Sequence, residues 1–127
     1  MKKIIYALAA LFMVAALSSC DMEIKNVKIN NLVGTWDLVS ETIVHYDGTN
    51  SIEKFAKGEN YLVIKKDEIE SHTGKLAVTN PFSFGDPYFI IDGTSRYELK
   101  SLSYKTMVLR DPVTLLYKEK ILTYERR

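Results

Sequence analysis

From Gly34 to Tyr124 the chain never sustains apolar residues at helical spacing; short β-branched and aromatic runs are cut again and again by turn-forming residues. That punctuation leaves no room for a helix of ordinary length, so an all-β domain is expected. Trp36, Leu38, Ser40, Thr42 and Val44 should share one face of a first strand, with Asp37, Glu41 and His45 on the other, before Asp47-Gly48 makes a tight turn. Further strands are expected over 52–55, 61–65, 68–72 and 75–79, separated by gaps of hairpin length. Asn80-Pro-Phe-Ser-Phe-Gly-Asp-Pro87 should be the longest loop, because two prolines and a glycine cannot continue a central ladder. Strands resume over 88–91, 95–100, 104–110 and 113–124. A meander of about eight or nine short strands has to hide its edges in a closed barrel or a two-sheet sandwich. The short gaps favour an antiparallel barrel of about eight strands, with the β-sandwich as the alternative.

The N-terminus carries a different message. Lys2 and Lys3 precede fourteen uncharged, apolar residues, Ile4 to Leu17. Fourteen helical residues span roughly 21 Å, short of the ~30 Å of a bilayer's hydrocarbon core. A basic start, a short apolar centre and small residues form the pattern of a secretory signal peptide. Leu17-Ser18-Ser19-Cys20 resembles a bacterial lipobox, which implies cleavage before Cys20 and acylation of that cysteine with diacylglyceryl and fatty-acyl (palmitate-type) chains. The expected organisation is a lipoprotein signal peptide over 1–19, a lipidated cysteine and polar tether over 20–31, and a β-domain over 32–127. Two or three acyl chains anchor a protein stably, whereas one does so only marginally. Asp21 and Glu23 beside the anchor resemble the surface-export signal of Bacteroidetes lipoproteins. The implied location is the cell envelope, at the outer membrane, on its periplasmic or surface face.

Charge and cysteine content narrow the partners. Cleavage would remove Lys2 and Lys3 from 17 basic residues set against 16 acidic ones, leaving a mature formal charge of −1. Such a chain lacks the electrostatic footprint of a nucleic-acid binder and offers little net attraction to a membrane surface. A single cysteine excludes an intramolecular disulfide and an all-cysteine zinc site.

Within the β-domain, Leu32-Val33-Gly34-Thr35-Trp36 resembles the Gly-x-Trp motif that opens the first strand of lipocalins and of the shorter lipocalin-like lipoproteins of Bacteroidetes. The stretch Arg96 to Leu109 resembles the late hairpin of those lipoproteins. The resemblance implies a calycin-type barrel in which Gly34 permits a tight entry and Trp36 plugs the closed end. It also implies an arginine near the end of the last strand covering the indole, a role open to Arg126 or Arg127. The 96 residues from 32 to 127 are fewer than a full-size lipocalin uses. Short strands of this kind give an interior filled by side chains or just wide enough for one small ligand.

No catalytic set emerges: the sequence has no Gly-x-Ser-x-Gly elbow, phosphate-binding glycine loop or His-Glu-x-x-His motif. His45, Asp47 and His72 are of metal-ligating type but belong to unrelated hairpins, so neither a metal nor a cofactor is expected. Glu119, between Lys118 and Lys120, reads as protection of an edge strand. Phe82, Phe84 and Tyr88, on the proline-bounded loop, either form an apolar lip at a ligand entrance or fold inward to cap the core. The expected protein is a non-catalytic, membrane-anchored lipocalin-like lipoprotein binding a small apolar ligand. The alternative is an accessory lipoprotein with a filled barrel that docks onto a larger envelope complex.

Overall fold

A computed structural model describes residues 22–111 and 115–127. The expected leader over 1–19, together with Cys20 and Asp21, lies outside the described residues. One short helix, α1 (Ile29–Leu32), precedes nine strands: β1 (Gly34–Val44), β2 (Asn50–Lys54), β3 (Asn60–Ile64), β4 (Glu68–Thr73), β5 (Leu76–Gly85), β6 (Tyr88–Ile91), β7 (Ser95–Leu102), β8 (Thr106–Asp111) and β9 (Glu119–Arg126). They form one antiparallel sheet in the order β2-β1-β3-β4-β5-β6-β7-β8-β9, and β1 also pairs with β9. Eight strands therefore close into a barrel, and β2 is the extra one. Gly34 to Asp37 pair with β3 while Ser40 to Val44 pair with β2, so the two share one edge of β1. This is the barrel, and not the sandwich.

Three local readings are corrected. A β-bulge between Leu38 and Ser40 shifts the β1–β9 register, so Leu38 lies opposite Tyr124 but Glu41 opposite Leu122 and Ile43 opposite Lys120. Directly paired residues share a face, and Leu122 and Tyr124 are buried. Glu41 and Ile43 therefore face the interior, and Ser40, Thr42 and Val44 face out. Second, the segment expected as a loop is the latter part of β5: Glu68 pairs with Pro81, and Phe82 to Gly85 pair with β6. Pro81 is tolerated because its carbonyl accepts from Asp92 beyond the end of β6, so its missing amide takes no bond from a ladder. Third, β9 starts at Glu119 rather than 113 and lies between β8 and β1, so Glu119 and Lys120 are not on an edge.

Within the segment expected as a tether over 20–31, the described residues contact the barrel from Glu23 onward. Glu23 bridges to Ser103, the Ile24 amide donates to the Leu102 carbonyl at 2.6 Å, and Ile24, Val27 and Ile29 pack against the core. Those three aliphatics, spaced among Lys25, Lys28 and asparagines, give residues 24–32 an apolar face to bury. Leu32 completes the core with Trp36, Ile64, Ile69, Phe82, Phe89, Leu99, Leu102, Met107, Leu109, Leu122 and Tyr124.

Candidate functional site

The two ends of the barrel differ in chemistry. At the closed end α1 sits beneath the start of β1. Lys28 N–H donates to Asn31 Oδ1 at 2.9 Å, and the Trp36 indole N–H donates to the Leu32 carbonyl at 2.8 Å. The Arg126 guanidinium lies 4.1 Å from the Trp36 ring centroid. Its nitrogens donate to the Tyr104, Val33 and Asn31 carbonyls at 2.7, 2.9 and 2.7 Å. Arg126 thus binds the N-terminal segment, the β7–β8 turn and β9 together. Gly34 has φ of +142°, and a Cβ there would meet Arg126 Nη1 at 2.7 Å. The glycine of the Gly-x-Trp stretch makes room for the arginine as well as permitting the backbone turn.

Arg127 takes a separate role on the outer face. It donates to Asp37 Oδ1 at 2.7 Å and stacks 4.4 Å over Tyr61, which stacks in turn on His72 at 4.2 Å. The hydrogen bond from Arg127, with its charge and the Gly58 amide, holds the Asp37 carboxyl below the usual carboxylate range against the opposing effect of burial. His72 also meets Glu70 Oε1 at 3.1 Å. His45 pairs with Ser51 Oγ, and Asp47, in the β1–β2 turn, accepts from Thr49. The structure does not bring His45, Asp47 and His72 together, and among the described residues no group of three or more His, Cys, Asp or Glu could hold a metal.

The open end collects polar groups that sequence reasoning did not assemble. Lys120 lies opposite Asp111 on β8 and Ile43 on β1, next to Glu41, with Nζ 3.9 Å from Glu41 Oε1 and 5.1 Å from the Tyr117 ring centroid. Tyr117 donates to Asp111 Oδ2 at 3.0 Å. Tyr97 faces the same interior one pair above Leu99. Burial, then the Asp111 carboxylate, pushes its phenol pKa up, while Lys120 pulls the other way. Burial likewise pushes up the Tyr124 phenol just below. The polar mouth thus rests on a floor of Tyr124, Leu122, Leu109 and Leu99, all at most 8% exposed.

Above that floor, β5 outruns β6: Leu76 to Pro81 pair with β4, and β6 takes over only from Phe82. Alternation from buried Phe82 places Asn80, Val78 and Leu76 on the inner face, yet Val78 is 44% and Leu76 66% exposed. The inner surface of the β4–β5 hairpin is therefore an apolar wall open to solvent beside the mouth. A cleft of about 350 Å³ lies against β4 and β5, lined by Asp67, Glu68, Thr79, Asn80 and Pro81, and is open to solvent.

The expected entrance residues lie elsewhere. Phe82 and Phe84 sit on β5, not a loop, and their rings pack on Phe89 with centroids 5.3 Å apart in each case. Phe82 is buried and Phe84 half-buried against the core, so the inward reading describes them. Alternation explains it, since residues 82 and 84 share the inner face. Tyr88 is exposed at the start of β6, with Arg96 5.0 Å over its ring. The mouth was missed because Glu41 reaches it only through the bulge and Lys120 only because β9 closes on β1.

No family model matches the chain, and no curated protein does either. Among solved structures it is similar to a protein of unknown function from the DUF3598 family of Nostoc punctiforme, at 13% identity and a TM-score of 0.46, over 83% of this chain and 51% of that one. The chain thus spans about half the length of that structure.

Proposed function

We propose that this is a non-catalytic, lipid-anchored barrel lipoprotein of the bacterial cell envelope that binds a small, largely apolar ligand across its mouth. The observation that carries the reading is the contrast along the barrel: side chains fill it up to Tyr124 and Leu122, whereas inner-face Leu76 and Val78 above them face solvent. The ligand would lay its apolar part along the β4–β5 hairpin and turn a polar end toward Tyr97, Tyr117 and Lys120. A deep calyx is not part of this reading. Anchoring rests on Leu17-Ser18-Ser19-Cys20 and is tested by palmitate incorporation, which Cys20→Ala should abolish together with membrane association. Binding is tested by titrating the protein with parinaric acid, whose fluorescence should rise on binding. Val78→Glu should remove most of that rise without lowering the melting temperature; equal binding by both proteins would rule out the mouth.

A second reading, docking onto a larger envelope complex, is favoured by Leu115 and Leu116, which are 99% and 85% exposed on the β8–β9 connection. It predicts no parinaric acid binding and migration in a large native complex that Leu115→Glu dissolves.

A further inference from the structure

Acylation of Cys20, on which this inference rests, acquires a direction when the chain is followed back from the barrel. The Glu23–Ser103 bridge and the Ile24–Leu102 hydrogen bond clamp the chain to the β7–β8 turn at the closed end. Glu23 follows Cys20 by three residue steps, and an extended chain advances at most ~3.6 Å per residue, so the intervening backbone can span no more than roughly 11 Å between anchor and clamp. β9 runs eight residues from mouth to closed end, roughly 26 Å at strand rise. The mouth is out of the anchor's reach.

The closed end also has the surface chemistry of a lipid-facing patch. Met22 is 86% and Tyr104 68% exposed there, and Lys25, Lys28, Lys66 and Lys105 are exposed at the same end, interspersed with the exposed carboxylates Glu23, Asp67 and Asp86. Tyrosine favours the headgroup level and lysines favour anionic lipid. The lysines outnumber the exposed carboxylates, so this end is weakly positive although the whole chain is near neutral. We infer that the closed end seats on anionic phospholipid headgroups of the membrane that holds the anchor, and that the mouth opens away from the bilayer into the aqueous space.

The test uses the full, processed protein, in which acylation of Cys20 leaves any engineered cysteine as the unique thiol. Tyr104→Cys or Lys28→Cys at the closed end, and Leu76→Cys at the mouth, are labelled with bimane. Each is reconstituted in phosphatidylethanolamine–phosphatidylglycerol vesicles containing a phospholipid with a headgroup-level nitroxide. All three positions are exposed, and two closed-end sites guard against one variant failing to fold. Closed-end labels should be quenched several-fold more than the mouth label, and replacing phosphatidylglycerol by phosphatidylcholine should narrow the difference. A lipid-bearing protein whose mouth label is quenched as strongly as its closed-end labels overturns the orientation while leaving the anchor intact. A protein without lipid that stays in the aqueous fraction overturns both.

Discussion

The smallest unit with a definite role is the trio Gly34, Trp36 and Arg126. Arg126 covers the indole with a charge and ties down three carbonyls, a combination that lysine cannot copy, because only the planar fork both stacks and donates in several directions. Arg126→Ala should cost about 2 to 4 kcal/mol from the lost stack and hydrogen bonds, lowering the melting temperature by on the order of 10 °C or more. Arg126→Lys should recover little of it. Gly34→Ala should cost more than about 1 kcal/mol, because it combines a positive φ with a Cβ aimed at the guanidinium. Calorimetry on the three variants checks the set, and a Gly34→Ala protein as stable as wild type would mean that the arginine has room to move. The Gly-x-Trp stretch pointed to a C-terminal arginine over the indole, but not to which one. Two adjacent arginines on a strand point to opposite faces, and only the register with β1 distinguishes Arg126 from Arg127.

Strands were legible where side chains alternate and turn residues punctuate, as at Asp47-Gly48 and Asp92-Gly93, and illegible where the ladder itself decides. Nothing in Leu38-Val39-Ser40 announces a bulge, since no glycine or proline marks it, yet it turns Glu41 inward and founds the polar mouth. The proline of β5 is illegible for the opposite reason. Proline is barred from central ladders, but the neighbour of β5 on that side ends beside Pro81. That correction makes the two phenylalanines testable as core residues. Phe82→Ala should cost about 3 to 5 kcal/mol, Phe84→Ala less because it is half-buried, and Tyr88→Ala under about 1 kcal/mol. Urea denaturation of the three variants should reproduce that order. Equal, small losses for Phe82 and Phe84 would restore them to the surface.

At the scale of the molecule, ionisable groups bound stability on both sides. Asp37 has a folded pKa below its unfolded value, so its contribution is present above about pH 4 and is lost as pH falls through the lower, folded value. The stability gap between wild type and Asp37→Asn should therefore be wide at neutral pH and close in acid. Tyr124 is raised, so its contribution is present below about pH 10 and is lost as pH climbs toward the folded value. Its phenolate absorbance should appear only with unfolding, and Tyr124→Phe should flatten the alkaline limb. Closure of β1 on β9 carries a further consequence for biogenesis. Trp36 receives its cover from Arg126, and Val33 is bonded to that same residue across 93 positions of sequence. While the chain is being synthesised, its first strand can pair with β2 and β3, but its tryptophan waits without its cover until nearly ninety later residues have emerged. The barrel cannot be closed piecemeal from its N-terminus, because the last strand made is the one that seals the first.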